Sequence, residues 1–203
     1  AAAVSGECEA NFDLGMRSNL EATHKLLEGC RALGTQPVFV FASSLAVFGK
    51  QPGRALPDPI TDDTLPTPQG SYGIQKFICE QLVADYTRKG FIAGRSVRPM
   101  TVSVRPGKPN GAASGFFSGM VREPLSGIRA QVPVPASTPV ALASPARTIE
   151  GIVRAAEASD NAELRNEVAA AVDLQPGASV QLFVGRRAVP ELDRVLRDRK
   201  SVV

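Results

Sequence analysis

Tyr72 and Lys76 stand four residues apart in Tyr72-Gly73-Ile74-Gln75-Lys76, which puts them on one face of a helix, about 6 Å apart at Cβ. A phenol with a pKa of about 10 is a poor base at neutral pH, and a neighbouring ammonium favours its ionised form. Such a pair can take a hydroxyl proton as hydride leaves the same carbon, which is the chemistry of alcohol–carbonyl interconversion. Ser43 and Ser44 follow the apolar run Val38-Phe39-Val40-Phe41-Ala42. Ligands in open α/β sheets bind beyond the carboxyl ends of strands, so a hydroxyl there faces the crevice. Ordinary explanations stand beside each feature: a tyrosine at a helix start with a solvated lysine, and serines in a turn.

Other residues could join that site. Lys76 could also donate to ribose hydroxyls of a cofactor. Ser71 is a candidate cap for the helix, and Gly73 leaves room for a flat ligand. Asn19 falls inside a helical pattern where asparagine is unfavourable, so it is either a buried side chain holding backbone or water near the site, or part of a solvated face. Arg98-Pro99 and Arg105-Pro106-Gly107 follow short strand-like runs. Their prolines fix the backbone where a ligand could rest, and the arginines and Lys108 could meet a carboxylate or phosphate. Asn110, Ser114 and Phe116-Phe117 are candidates for a substrate loop, with the phenylalanines equally suited to core. His24, the one histidine, has no partner within reach by spacing and reads as a partly exposed helix residue.

The elements that must position these groups read as helix, strand, long loop, helix, strand. Leu14, Leu20, Leu26, Leu27, Cys30 and Leu33 form a helical stripe over residues 12 to 33, stopped by Gly34. The unalternated run at residues 38 to 42 suits a strand buried on both faces of a parallel sheet. Five prolines between residues 49 and 70 exclude regular structure there. Ile74, Ile78, Leu82 and Tyr86 mark a second helix ended by Gly90, and residues 95 to 97 and 102 to 104 read as strands. This is the rhythm of a doubly wound α/β sheet, of which it looks like the later half. Further on, a short helix ending before Pro124, a strand at residues 132 to 134 and a helix at 148 to 158 are expected. In the tail a strand at 168 to 174 and a helix from Pro190 to Lys200 complete the pattern.

Composition sets the bounds. Hydrophobic residues at 43% and charged residues at 21% describe a globular chain. A net charge of +3 suits an anionic ligand without arguing for nucleic acid, and no Trp and only two Tyr offer no base-stacking platform. No apolar run reaches membrane-spanning length. Three unpaired cysteines (Cys8, Cys30 and Cys79) fit a reducing, cytoplasmic compartment, and a single histidine argues against a zinc site or histidine triad, so no metal is expected.

Taken together, Val38 to Gly49 and Ser71-Tyr72-Gly73-Ile74-Gln75-Lys76 resemble the extended short-chain dehydrogenase/reductase family, the NAD-dependent epimerase/dehydratases. Residues 3 to 7, 105 to 118 and 122 to 125 resemble a sugar-acid dehydrogenase subgroup of it. The resemblance covers roughly residues 1 to 158. It implies a Rossmann-like doubly wound parallel sheet with a small substrate-binding domain. Residues 1 to 110 would form a partial dinucleotide-binding domain carrying the catalytic residues, and 111 to 203 the substrate-binding and C-terminal region. It implies Tyr72 as general base, Lys76 on the ribose and lowering the tyrosine pKa, and Ser44 orienting the reacting hydroxyl. Ala2, Ala3, Asn19, Ser43, Pro99 and Thr101 would lie with Tyr72 and Lys76 at the cofactor. Ser5, Ser44, Arg105, Asn110, Ser114 and Phe116 would lie at the substrate.

Two departures accompany it. The family's glycine-rich first turn, with its acidic ribose-binding residue, would precede Ala1, and no such turn occurs in the 203 residues. Val140-Ala141-Leu142-Ala143-Ser144-Pro145-Ala146 lacks the aromatic, histidine and arginine expected there for an acid substrate. The expected activity is oxidation of a secondary hydroxyl of a sugar acid, such as D-erythronate, to a ketone with NAD (NADP not excluded), in carbohydrate metabolism. The alternatives are a nucleotide-sugar epimerase/dehydratase or a catalytically silent family member acting as an interaction module. A homodimer through the helices at 12–33 and 72–89 is a further expectation.

Overall fold

The computed structural model describes residues 3–61, 64–108 and 112–158 and the backbone of 181–183. Ala2, Asn110 and the expected tail elements at 168–174 and 190–200 lie outside the described residues.

The chain enters through α1 (Ser5–Ala10), whose first turn is closed by Glu7 accepting the Val4 N–H at 3.0 Å. The expected helix over 12–33 is present in three pieces: α2 (Phe12–Gly15), a π-helical turn (Met16–Glu21) and α3 (Ala22–Leu33). Gly34 ends it in the left-handed conformation, φ 65°. The π turn adds a residue to the repeat and shifts the phase of the stripe. Asn19 and Leu27 are consequently buried while Leu26 and Leu33 are exposed, a correction to the even stripe read from the sequence.

β1 (Val38–Ala42) pairs in parallel with β2 (Ala93–Arg98), from Val38 opposite Ala93 to Ala42 opposite Val97. β5 (Gln181–Phe183) adds antiparallel on the far side of β2. β1 is therefore an edge among the described residues. Only Phe41 of its five residues is buried, against the expectation of burial on both faces. β3 (Thr101–Val102) and β4 (Leu142–Ala143) form a second, two-stranded parallel pair.

α4 (Ser71–Arg88) crosses from the end of β1 to β2. It buries Cys79, Val83 and Tyr86 with Leu27, Phe41 and Ile92 as the core. Its N-terminus is closed from outside: the Glu9 carboxylate of α1 accepts the Ser71 N–H at 2.7 Å. Ser71 is thus the first helical residue and not the cap, which is Gly70. α5 (Gly115–Leu125) runs through Pro124, one turn longer than the proline suggested. Residues 132 to 134 are not a strand, because the partner of β3 is Leu142–Ala143. α6 (Pro145–Glu157) opens with the Ser144 hydroxyl accepting the Arg147 N–H at 3.2 Å.

Gly73 decides how close α4 comes to β1. A Cβ there would stand 2.1 Å from the Ala46 carbonyl oxygen in the 3-10 turn Leu45–Val47. The glycine leaves room for neighbouring backbone, not for a flat ligand. Gly73→Ala is expected to cost about 1–3 kcal/mol through overpacking, read as a lower Tm at about 2–4 °C per kcal/mol. Gly29→Ala on α3, where an added Cβ meets nothing within 4 Å, is expected to hold or raise Tm.

Candidate active site

The C-terminal ends of β1 and β2, the start of α4, Arg105 and the residues Ala112 to Ser114 enclose a cleft of about 420 Å³. Open parallel sheets offer ligands this position because side chains from successive strand ends converge there. Ser5, Ser43, Ser44, Tyr72, Pro99, Thr101, Arg105 and Ser114 all line it. Val4, Met100 and Val102 line it as well, and nothing in their residue type singled them out beforehand.

Ser44 and Tyr72 line the same cleft, and the Ser44 hydroxyl, which accepts the Ala46 N–H at 3.1 Å, is near enough to act on the phenol. Burial raises the Tyr72 phenol above its ordinary value, with the Ser44 hydroxyl and the Arg105 charge pulling the other way. Lys76 lies beneath the phenol, its Nζ 5.7 Å from the Tyr72 ring centre and 4.7 Å from that of Phe41. That ammonium donates to the Ala42 carbonyl at 2.8 Å and is nearly buried. Burial lowers its pKa, offset in part by Cys79, Cys8 and Glu80. Lys76 does not line the cleft. The structure thus differs from the expectation of a lowered phenol: burial outweighs the groups that favour the phenolate and holds Tyr72 above its ordinary value.

Ser43 is turned away from Tyr72. Its hydroxyl donates to the Glu80 carboxylate, which is paired with Arg98. Arg98 therefore meets a carboxylate, as arginine suggested, but one supplied by the protein itself. Glu80 was missed, although it continues the Tyr72–Lys76 face by one more step of four.

Asn19 lies behind the cleft. Its amide donates to the Ala3 carbonyl at 3.1 Å and to Gln75 at 2.8 Å, and Cys8 Sγ is 3.3 Å away. Of the two alternatives for Asn19, burial is the one found: it holds the Ala3 backbone, and neither residue lines the cleft. Phe116 also falls outside the lining. The first turn of α5 stacks its ring on Phe117, centres 3.9 Å apart. On the opposite wall the Arg105 guanidinium donates to the Ser114 hydroxyl at 2.9 Å, and its backbone N–H to Ser118 at 2.9 Å. No helix among the described residues is long and apolar enough to cross a membrane.

A phenol, a buried ammonium below it and a second hydroxyl in the same cleft can exchange a proton with an alcohol or carbonyl there. Known proteins resemble this chain in sequence. A model of the NAD dependent epimerase/dehydratase family matches residues 1–138. A D-erythronate dehydrogenase from Cupriavidus necator is 55% identical over 157 residues, 77% of this chain and 47% of that protein. A D-erythronate dehydrogenase from Haemophilus influenzae is 46% identical over 155 residues, 76% of this chain and 48% of that protein. The crystal structure of a nucleoside-diphosphate-sugar epimerase from Agrobacterium tumefaciens is 42% identical with a TM-score of 0.72, over 90% of this chain and 52% of that one. The chain thus spans about half the length of the relatives it matches. Its α/β architecture, parallel β1–β2 pair and matched residues agree, and the protein belongs to the NAD dependent epimerase/dehydratase family.

Proposed function

We propose that the protein takes part in NAD-dependent oxidation of a secondary hydroxyl of a sugar acid, such as D-erythronate, to a ketone. The observation that carries this reading is that Ser44 and Tyr72 line one cleft at the strand ends, with Lys76 beneath the phenol. NAD, when bound, accepts the hydride. The residues present fit its nicotinamide end: Pro99 and Thr101 form the cleft wall at the end of β2, across from Ser44 and Tyr72. Among the described residues that line the cleft there is no glycine-rich turn of the kind that cradles a pyrophosphate. NADP serves the same chemistry.

In this reading Tyr72 takes the hydroxyl proton at its phenol oxygen, and Ser44 holds the same substrate oxygen by a hydrogen bond. Lys76 stabilises the phenolate by charge. It has donors to spare beyond the one given to Ala42, since an ammonium carries three. Arg105, oriented by Ser114, receives the substrate's carboxylate. Ser5, on the wall formed by α1, completes the substrate side among the described residues.

A second reading, nucleotide-sugar epimerisation, is favoured by the 42% identity to the Agrobacterium epimerase. Product analysis separates the two. Net NADH with D-erythronate supports the dehydrogenase, and sugar interconversion without net NADH supports the epimerase.

Three outcomes are expected. Tyr72→Phe lowers kcat about 10²–10⁴-fold in an NADH absorbance assay, as expected for loss of the acid–base group. Because the phenol sits above its ordinary pKa, the active ionised fraction grows with pH, so the rate of oxidation rises from neutral into alkaline solution in a pH–rate profile. Arg105→Met raises KM for the sugar acid more than for a neutral sugar alcohol, in steady-state kinetics with both.

We also propose a homodimer through the helices at 12–33 and 72–89. α3 and α4 pack together and leave Leu26, Leu33, Ile74 and Ile78 exposed. Ile74→Lys with Ile78→Lys is expected to shift light-scattering mass from dimer to monomer, and a parent that already runs as a monomer defeats the idea.

A further inference from the structure

A buried ion pair lies under the site. Arg98 Nε donates to Glu80 Oε1 at 2.9 Å and its Nη2 to Oε2 at 2.6 Å, both side chains being fully buried. Two parallel bonds of this kind fix the plane of the carboxylate as well as its position. Glu80 Oε1 also accepts the Ser43 hydroxyl. The Ser43 N–H donates to the Val97 carbonyl at 2.7 Å. Ser43 is therefore held by its backbone to β2 and by its side chain to α4, with its hydroxyl drawn inward.

Ser44 follows in extended conformation, φ −161° and ψ 154°. Successive side chains on extended backbone leave on opposite faces. With Ser43 held inward, Ser44 is turned outward into the cleft that Tyr72 also lines. Glu80 and Tyr72 share α4, and Arg98 immediately precedes Pro99 on the cleft wall, so one ion pair ties together the three elements that carry the site.

Resting on the functional reading above, we propose that Glu80 and Arg98 are positioning residues: their pair holds the Ser43 hydroxyl inward and thereby presents the Ser44 hydroxyl to the Tyr72 phenol. A purely cohesive role leads to a different outcome, because a buried ion pair can be exchanged for apolar residues of similar volume with little loss of stability.

The test replaces both partners, Glu80→Met with Arg98→Met, in the purified protein. With no Trp and only two Tyr, the Tyr72 phenol can be titrated alone by ultraviolet absorbance once Tyr86→Phe is introduced. The double variant is expected to melt near the parent but to titrate Tyr72 at higher pH, as is expected of Ser44→Ala, since the nearby Ser44 hydroxyl favours the phenolate. Adding Ser44→Ala to the double variant should then shift the phenol no further. Its kcat should fall about tenfold or more with KM for NAD within about twofold, the pattern of a lost transition-state contact. A folded double variant with the parent's titration and the parent's kcat overturns the proposal.

If the double variant does not fold, Ser43→Ala, which leaves the ion pair in place, decides in the same way. A raised titration with lowered kcat supports the positioning role, and parent-like values overturn it. The titration needs no substrate. A parent protein without turnover on sugar acids or nucleotide sugars sinks the functional reading, while the Tyr72 titration still settles the positioning.

Discussion

Down one face of α4, three successive turns each meet the chain leaving β1. Gly73 brings the helix against the Ala46 carbonyl, Lys76 donates to the Ala42 carbonyl, and Glu80 takes the Ser43 hydroxyl. Tyr72 has its position because these contacts lie below it on the same helix. The arrangement leaves little play, since a helix seated on backbone cannot shift without breaking contacts in several turns at once. The Glu9 carboxylate closes the first turn from α1, so the N-terminal segment is tied to the same seat.

The electrostatics of that seat are costly on their own. Burying a charge pair loses hydration that the attraction between the charges only partly returns, and removing one partner typically costs about 3–5 kcal/mol. Glu80 and Arg98 meet the condition under which such a pair is tolerable, two aligned hydrogen bonds with the Phe48 ring 5.0 Å from the guanidinium. Lys76 is held differently, by a carbonyl and two aromatic faces. Burial raises the Tyr72 phenol and lowers the Lys76 ammonium, so each favours its neutral form more than it would in water. A site tuned this way is suited to passing a proton in either direction.

Much of the fold was legible. The apolar run of β1, the i, i+4 series of α4 and the glycine after α3 each carry their own local signal. What was misread involves partners distant in sequence. Gly73 looked like space for a ligand because the Ala46 carbonyl that fills it is set by the turn after β1. Ser71 looked like a cap because Glu9, the actual acceptor, lies 62 residues away. The stripe on residues 12 to 33 was read at helical period, and the π turn around the buried Asn19 broke its phase. Phe116 was assigned by its place in a loop-like stretch, and helix formation turned it onto Phe117.

The types and spacing of Tyr72, Lys76 and the paired serines were enough to name the candidate chemistry, because helical and extended periodicities alone place such residues on a common face. The choice of Ser44 over Ser43 came from the family resemblance and not from spacing. Position along the chain cannot distinguish Ser43 from Ser44, since adjacent residues on extended backbone point in opposite directions. That choice depends on which direction is inward, and here Glu80 and Arg98, brought from two other elements, define it.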